Sequence, residues 1–67
     1  ADLTHRELEV LLLLAQQRTD AEIAEALVIT PATVKKHAGN IYRKLAVKNR
    51  RQAVARAQVS GILPLAQ

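Results

Sequence analysis

Residues 20–29 read Asp20-Ala21-Glu22-Ile23-Ala24-Glu25-Ala26-Leu27-Val28-Ile29, and residues 30–45 read Thr30-Pro31-Ala32-Thr33-Val34-Lys35-Lys36-His37-Ala38-Gly39-Asn40-Ile41-Tyr42-Arg43-Lys44-Leu45. Thr30 is an N-cap residue, and Pro31 follows at the first helical position, where a missing N–H is no loss. Val34, Ala38, Ile41 and Leu45 recur at spacings of 4, 3 and 4, the buried stripe of an α-helix. Just upstream, Thr19-Asp20-Ala21-Glu22 has the form of a capping box, in which hydroxyl and carboxylate satisfy orphan backbone donors reciprocally. It opens a shorter helix that offers Ile23, Ala24 and Leu27 to a core. Val28-Ile29 joins the two helices in about three residues, the spacing of a helix-turn-helix, whose second helix is the one presented to the DNA major groove.

The flanks extend the pattern. Thr4-His5-Arg6-Glu7 is a second capping box, and Asn49-Arg50-Arg51-Gln52 places Asn and Gln in the same two roles. Gly61 suits a left-handed C-terminal cap, and Pro64 forbids continuation soon after it. The expected architecture is all-α, a four-helix bundle containing the helix-turn-helix, with helices at about 5–16, 20–27, 31–45 and 50–60, to within about 2–4 residues. No segment alternates as a strand, and no repeat, linker or low-complexity tract interrupts the pattern. Residues 1–67 therefore read as a single domain, expected to be part of a longer chain.

Composition narrows the class. The apolar residues make up 49% of the chain and are almost all aliphatic, with Tyr42 the one aromatic, so the core is built from Leu, Ile, Val and Ala. There is no Cys, hence no disulfide framework and no Cys-based zinc site. The longest apolar run, Val10–Ala15, is far short of the roughly 18 residues of a membrane span, and no secretory leader pattern is present. Charge is divided unevenly. All six acids lie in residues 1–25, whereas residues 26–67 carry eight bases and no acid. Such a half points to a polyanion, either nucleic acid or an anionic membrane surface. The absence of Trp and Phe argues against the membrane.

The helical wheel of residues 31–45 locates that charge. With Val34 at zero and about 100° per residue, the apolar stripe falls within about 40° of zero. Ala32, Lys36, Gly39 and Arg43 lie within about 40° of the opposite pole, and Lys35 stands at about 100°. Thr33, His37, Asn40 and Lys44 line one flank, between about 240° and 300°. Groups at the centre of such a face meet base edges, and groups along its edge meet phosphates.

The residues also form a recognisable series: Leu3-Thr4-His5-Arg6-Glu7, Glu22-Ile23-Ala24-Glu25, Thr30-Pro31-Ala32-Thr33-Val34-Lys35-Lys36-His37, Asn40-Ile41-Tyr42-Arg43-Lys44-Leu45 and Ala46-Val47-Lys48-Asn49-Arg50-Arg51-Gln52-Ala53-Val54. Over about residues 3–63 the chain resembles the LuxR-type (GerE-like) C-terminal helix-turn-helix domain of bacterial transcription regulators. The resemblance implies a four-helix reader of double-stranded DNA, preceded in a longer regulator by a sensory or receiver domain, and a cytoplasmic, nucleoid-associated location in a bacterium. It implies base reading by Lys35, Lys36 and Gly39. Arg43 is long enough to join them or to reach the backbone. It implies phosphate contacts by Thr33, His37, Asn40 and Lys44, to which Thr30 and Arg50 are added, each at the start of a helix. The family commonly dimerises on DNA through the last helix, where Ala55 and Val59 face away from the core stripe of Ala53, Val54 and Ala57. The family usually has Gly where Gln17 and Ala46 stand here, so a left-handed backbone at either position carries a strain of roughly 1 kcal/mol.

Helix one is apolar almost all round, with Val10, Leu11 and Leu14 expected in the core and Leu8 and Leu12 on another arc. An exposed Leu8/Leu12 strip is a candidate dock for the missing N-terminal domain, against the alternative of a thicker core. Catalysis finds no support. His5 and His37 are far apart and have no ligand neighbours at helical spacing, Glu7 and Glu9 point in different directions, and no Gly-rich phosphate loop or Ser/His/Asp set is present. No catalytic residue, metal ligand or cofactor is expected. Two other readings stay open at this stage: a basic helical protein-interaction module, and a sigma-factor-like promoter reader.

Overall fold

The computed structural model describes residues 2–64. Among them are four α-helices, α1 (His5–Ala15), α2 (Asp20–Leu27), α3 (Pro31–Lys44) and α4 (Arg50–Val59), and no strand. α1, α3 and α4 each stop one residue short of the expected limit, because Gln16, Leu45 and Ser60 are the cap residues. α3 packs against each of the other three helices. The core consists of Val10, Leu11 and Leu14 from α1, Ile23 and Ala24 from α2, Val34 and Ile41 from α3, and Ala53 and Ala57 from α4. Leu63, beyond α4, closes it and is 4% exposed. The pattern of periodic residues had no means of placing Leu63, which follows the last helix.

Both Thr capping boxes form. Glu7 N–H donates to Thr4 Oγ1 at 3.1 Å while Thr4 N–H donates to Glu7 Oε1 at 2.9 Å, and Thr19 and Glu22 repeat the same two distances. The Asn49 start differs from a reciprocal box. Asn49 Oδ1 accepts from Gln52 N–H at 2.9 Å, but Gln52 Oε1 reaches one residue further back, to the N–H of Lys48. The longer Gln side chain thereby secures a donor in the turn before α4.

All four helices end in the same way, with paired bonds closing over a left-handed residue. These residues are Gln17 (φ 61°), Val28 (φ 57°), Ala46 (φ 57°) and Gly61 (φ 80°). Arg18 N–H reaches Leu13 O at 3.2 Å, Ile29 N–H reaches Ala24 O at 2.9 Å, Val47 N–H reaches Tyr42 O at 2.9 Å, and Ile62 N–H reaches Ala57 O at 2.9 Å. The expected positions of strain, Gln17 and Ala46, are left-handed. Val28 joins them, and it is β-branched, the type of side chain least tolerant of this conformation. It sits in the turn of the helix-turn-helix and is 89% exposed.

One polar side chain is buried with the core. Glu7 is 4% exposed, and its Oε1 accepts from Lys44 Nζ at 2.8 Å as well as from Thr4 N–H. Lys44 Nζ also donates to the carbonyl of Asp2 at 3.2 Å. The pair joins the first turn of α1 to the last turn of α3. The Lys44 hydrogen bond, then that of the Thr4 backbone, hold the Glu7 carboxyl below its ordinary value of 4.5, against the opposing effect of burial. The Thr19 backbone N–H lowers Glu22 in the same way.

Two predictions follow from the helix ends and the pair. Relieving the left-handed strain removes about 1–2 kcal/mol, offset by about 0.4–1 kcal/mol of added freedom in the unfolded chain. Val28→Gly is therefore expected to stabilise the domain by about 0.5–1 kcal/mol, with Gln17→Gly and Ala46→Gly gaining less, all read from urea midpoints. Because the folded-state pKa of Glu7 is depressed, its contribution is complete above 4.5 and is lost as pH falls through the folded value. Glu7→Gln should lower stability at pH 7 by about 2 kcal/mol. It should also flatten the decline below pH 4.5 seen in the parent by urea titration.

Candidate nucleic-acid interface

The outward face of α3 carries Lys35, Lys36, Gly39 and Arg43, all exposed, while Val34, Ala38 and Ile41 on the opposite side are buried. Thr33, His37, Asn40 and Lys44, the expected edge, are half-buried. At 1.5 Å per residue, Lys35 and Arg43 are separated by about 12 Å along the helix. That length faces about three to four base pairs at 3.4 Å each, and the helix diameter matches the major groove. Among the described residues no carboxylate forms an ion pair with Lys35, Lys36 or Arg43.

The edge residues divide by partner. Thr30 Oγ1 accepts from Thr33 N–H at 3.2 Å, and the two hydroxyls lie 2.9 Å apart at the N-terminus of α3. Asn40 Oδ1 accepts from Arg43 Nη2 at 3.0 Å. Lys44 stands apart from the set, since its ammonium turns away from the edge to Glu7 and Asp2. The signal that would have located this pair was in the sequence: Glu7 lies three, four and seven residues before Val10, Leu11 and Leu14, so an acid there shares the core stripe and needs a cation. Arg50 is also engaged. Its Nη1 donates to Arg18 O at 2.7 Å and its Nη2 lies 3.6 Å from Asp20, tying the start of α4 to the turn before α2. Lys48 and Arg51 beside it are exposed.

Gly39 has helical backbone, and a Cβ placed on it meets nothing within 4 Å. Its bareness has no explanation inside the domain. On α4, Ala55 and Val59 face outward, Val59 being 83% exposed. The expected Leu8/Leu12 strip is only half realised. Leu12 is 46% exposed, but Leu8 is half-buried in a hollow lined by Asp2, Leu3, Leu45 and Ile62. The N- and C-terminal flanks of the helices supply that cover.

Known proteins share this arrangement. The chain is 56% identical over 52 residues to the transcriptional regulatory protein LnrK of Bacillus subtilis (strain 168), covering 78% of this chain and 24% of that protein. It is 53% identical over 55 residues to the transcriptional regulatory protein LiaR of the same organism, covering 82% and 26%. With the response regulator protein VraR of Staphylococcus aureus (strain NCTC 8325 / PS 47) the identity is 54% over 52 residues, covering 78% and 25%. The chain thus spans about a quarter of the length of these curated relatives. Among solved structures, the crystal structure of the response regulator ChrA in a heme-sensing two-component system superposes with a TM-score of 0.90 at 38% identity, over 94% of this chain and 31% of that one. The family described as bacterial regulatory proteins, luxR family, matches residues 1–57, a span that holds the helix-turn-helix and most of α4. That span covers 57 of the 67 residues, and the chain belongs to the luxR family of bacterial regulatory proteins.

Proposed function

We propose that the domain reads double-stranded DNA sequence-specifically, as the output portion of a longer bacterial transcription regulator, with α3 in the major groove. The observation that carries this reading is the outward face of α3: three long cations and a bare Gly39 across about 12 Å, with no carboxylate on the face. Lys35, Lys36 and Arg43 donate to guanine O6 and N7. Thr30, Thr33, His37 and Asn40 set the register on phosphates, and Lys48 and Arg51 add attraction from the start of α4. Lys44 and Arg50 act chiefly by holding α3 and the α1–α2 turn in place. Gly39 lets the backbone approach the bases, which explains a glycine whose removal would crowd nothing within the domain.

Two contacts complete the proposal. Ala55 lies between shallow grooves on either side of α4, one of them also lined by Val59, and the two residues meet their counterparts in a second copy on DNA. The patch is too small to hold a dimer in free solution. The relative named as a response regulator protein aligns over 52 residues that make up 25% of it, so it is about three times as long as this 67-residue chain. A preceding receiver or sensory domain docking on Leu12, with Leu8 at its margin, fits that difference. Reading DNA in a bacterium places the domain in the cytoplasm, at the nucleoid.

Selection of sites from a random duplex pool at moderate salt tests the proposal. An enriched inverted repeat is expected, and retention without enrichment would instead support a protein partner for the basic face. Lys36→Ala should change the preferred sequence, whereas Arg51→Ala should weaken all duplexes alike. About six neutralised phosphates give a log–log salt slope near −5. Gly39→Ala should stabilise the fold by about 0.5–1 kcal/mol while lowering affinity for the selected site. Sedimentation of the free domain should show a monomer.

A further inference from the structure

The Asn40–Arg43 hydrogen bond makes a specific prediction about how α3 discriminates between bases. We propose that Asn40 is a positioning residue for Arg43: its amide oxygen turns the guanidinium back along α3 and holds it as a guanine-reading fork. This rests on the reading of α3 as the groove helix. Arg43 is exposed, and an unrestrained arginine at that point has many rotamers to lose on binding. The 3.0 Å bond from Nη2 to Asn40 Oδ1 removes much of that freedom before DNA arrives.

The chemistry of the two groups determines the direction. A guanidinium has five N–H donors and no acceptor, so the amide oxygen of Asn40 faces it and the amide nitrogen stays outside. Nη2 carries two hydrogens. With one given to Asn40, the other remains paired with a neighbouring N–H as a fork of the spacing that guanine O6 and N7 accept. Asn40 is half-buried at the flank, so it is the better fixed of the two. Gly39 lies beside Asn40 and four residues before Arg43, with open space where its side chain would be, which leaves the fork unobstructed on that side. A carboxylate at position 40 would grip Arg43 as well, but it would repel the phosphates along the same edge. A neutral amide orients the cation without that penalty.

The test uses the 67-residue chain, the selected duplex and its single base-pair variants, and reads discrimination at each position as well as total affinity. Arg43→Ala is expected to lose about tenfold in discrimination at one G·C pair. Asn40→Ala should lose about fivefold at that same pair, and the double variant no more than Arg43→Ala alone. Asn40→Asp keeps the acceptor, so it should retain discrimination at that pair while binding every duplex more weakly. Circular dichroism confirms that each variant is folded. Asn40→Ala that weakens all duplexes equally with discrimination intact makes Asn40 a phosphate contact only and overturns the proposal. Arg43→Ala that leaves every position unchanged overturns it too, while preserving α3 as a reader through its lysines. A parent chain that discriminates no base pair overturns both this inference and the proposed function.

Discussion

A single carboxylate oxygen, Glu7 Oε1, accepts from Thr4 N–H at 2.9 Å and from Lys44 Nζ at 2.8 Å. The first bond closes the N-terminus of α1, and the second fixes the far end of α3 against it. A buried ion pair is weak support for stability on its own, because desolvation opposes it. Its value here is positional. The fully buried core is aliphatic, with Tyr42 packed only at its margin, and interchangeable Leu, Ile and Val contacts define helix orientation poorly. A hydrogen-bonded charge pair has one geometry. Lys44 also reaches the Asp2 carbonyl, so the chain entering the domain is tied to the same point.

Short helices impose the second constraint. Each helix leaves about four N–H and four C=O groups without internal partners, so in the eight-residue α2 every residue contributes to an end. The domain meets this with side-chain caps at all four starts and paired bonds over a left-handed residue at all four stops. Only the last stop uses glycine, so Gln17, Val28 and Ala46 hold strain in exchange for satisfied carbonyls. The turn at Val28 matters most, since it sets the angle between α2 and α3 and therefore the presentation of the reading face.

What the sequence made legible follows the same division. Helix starts were readable because Thr-x-x-Glu and Thr-Pro are local chemistry, and the α3 face was readable because a wheel needs no tertiary information. The left-handed turns at Gln17 and Ala46 were visible only through resemblance, and Val28 was not visible at all, since valine disfavours the conformation it adopts. The wheel puts Lys44 beside His37 and Asn40, whereas its ammonium lies on Glu7 and the Asp2 carbonyl. A wheel describes where a side chain leaves the helix, and a four-carbon stem then has the reach to follow a buried acid on another helix. The half-cover over Leu8 is hidden from the sequence for a related reason: the hollow is built from residues 2, 3, 45 and 62, far apart in the chain.

Four of the long cations are oriented by neutral acceptors. Arg43 donates to the amide oxygen of Asn40, Arg50 to the carbonyl of Arg18, Arg56 to the carbonyl of Leu45, and Lys44 to the carbonyl of Asp2. Each of these acceptors is neutral. A carboxylate would hold a cation more tightly, but it would also offset the field that attracts phosphate. Lys44 and Arg50, which tie helices together, have a carboxylate beside the carbonyl as well, Glu7 and Asp20. Arg43, on the outward face of α3, receives only the amide. The uneven charge of the sequence thus has a structural counterpart: the acids lie in residues 2–25, and the acceptors that face Arg43 and Arg56, Asn40 Oδ1 and the Leu45 carbonyl, are dipoles rather than charges.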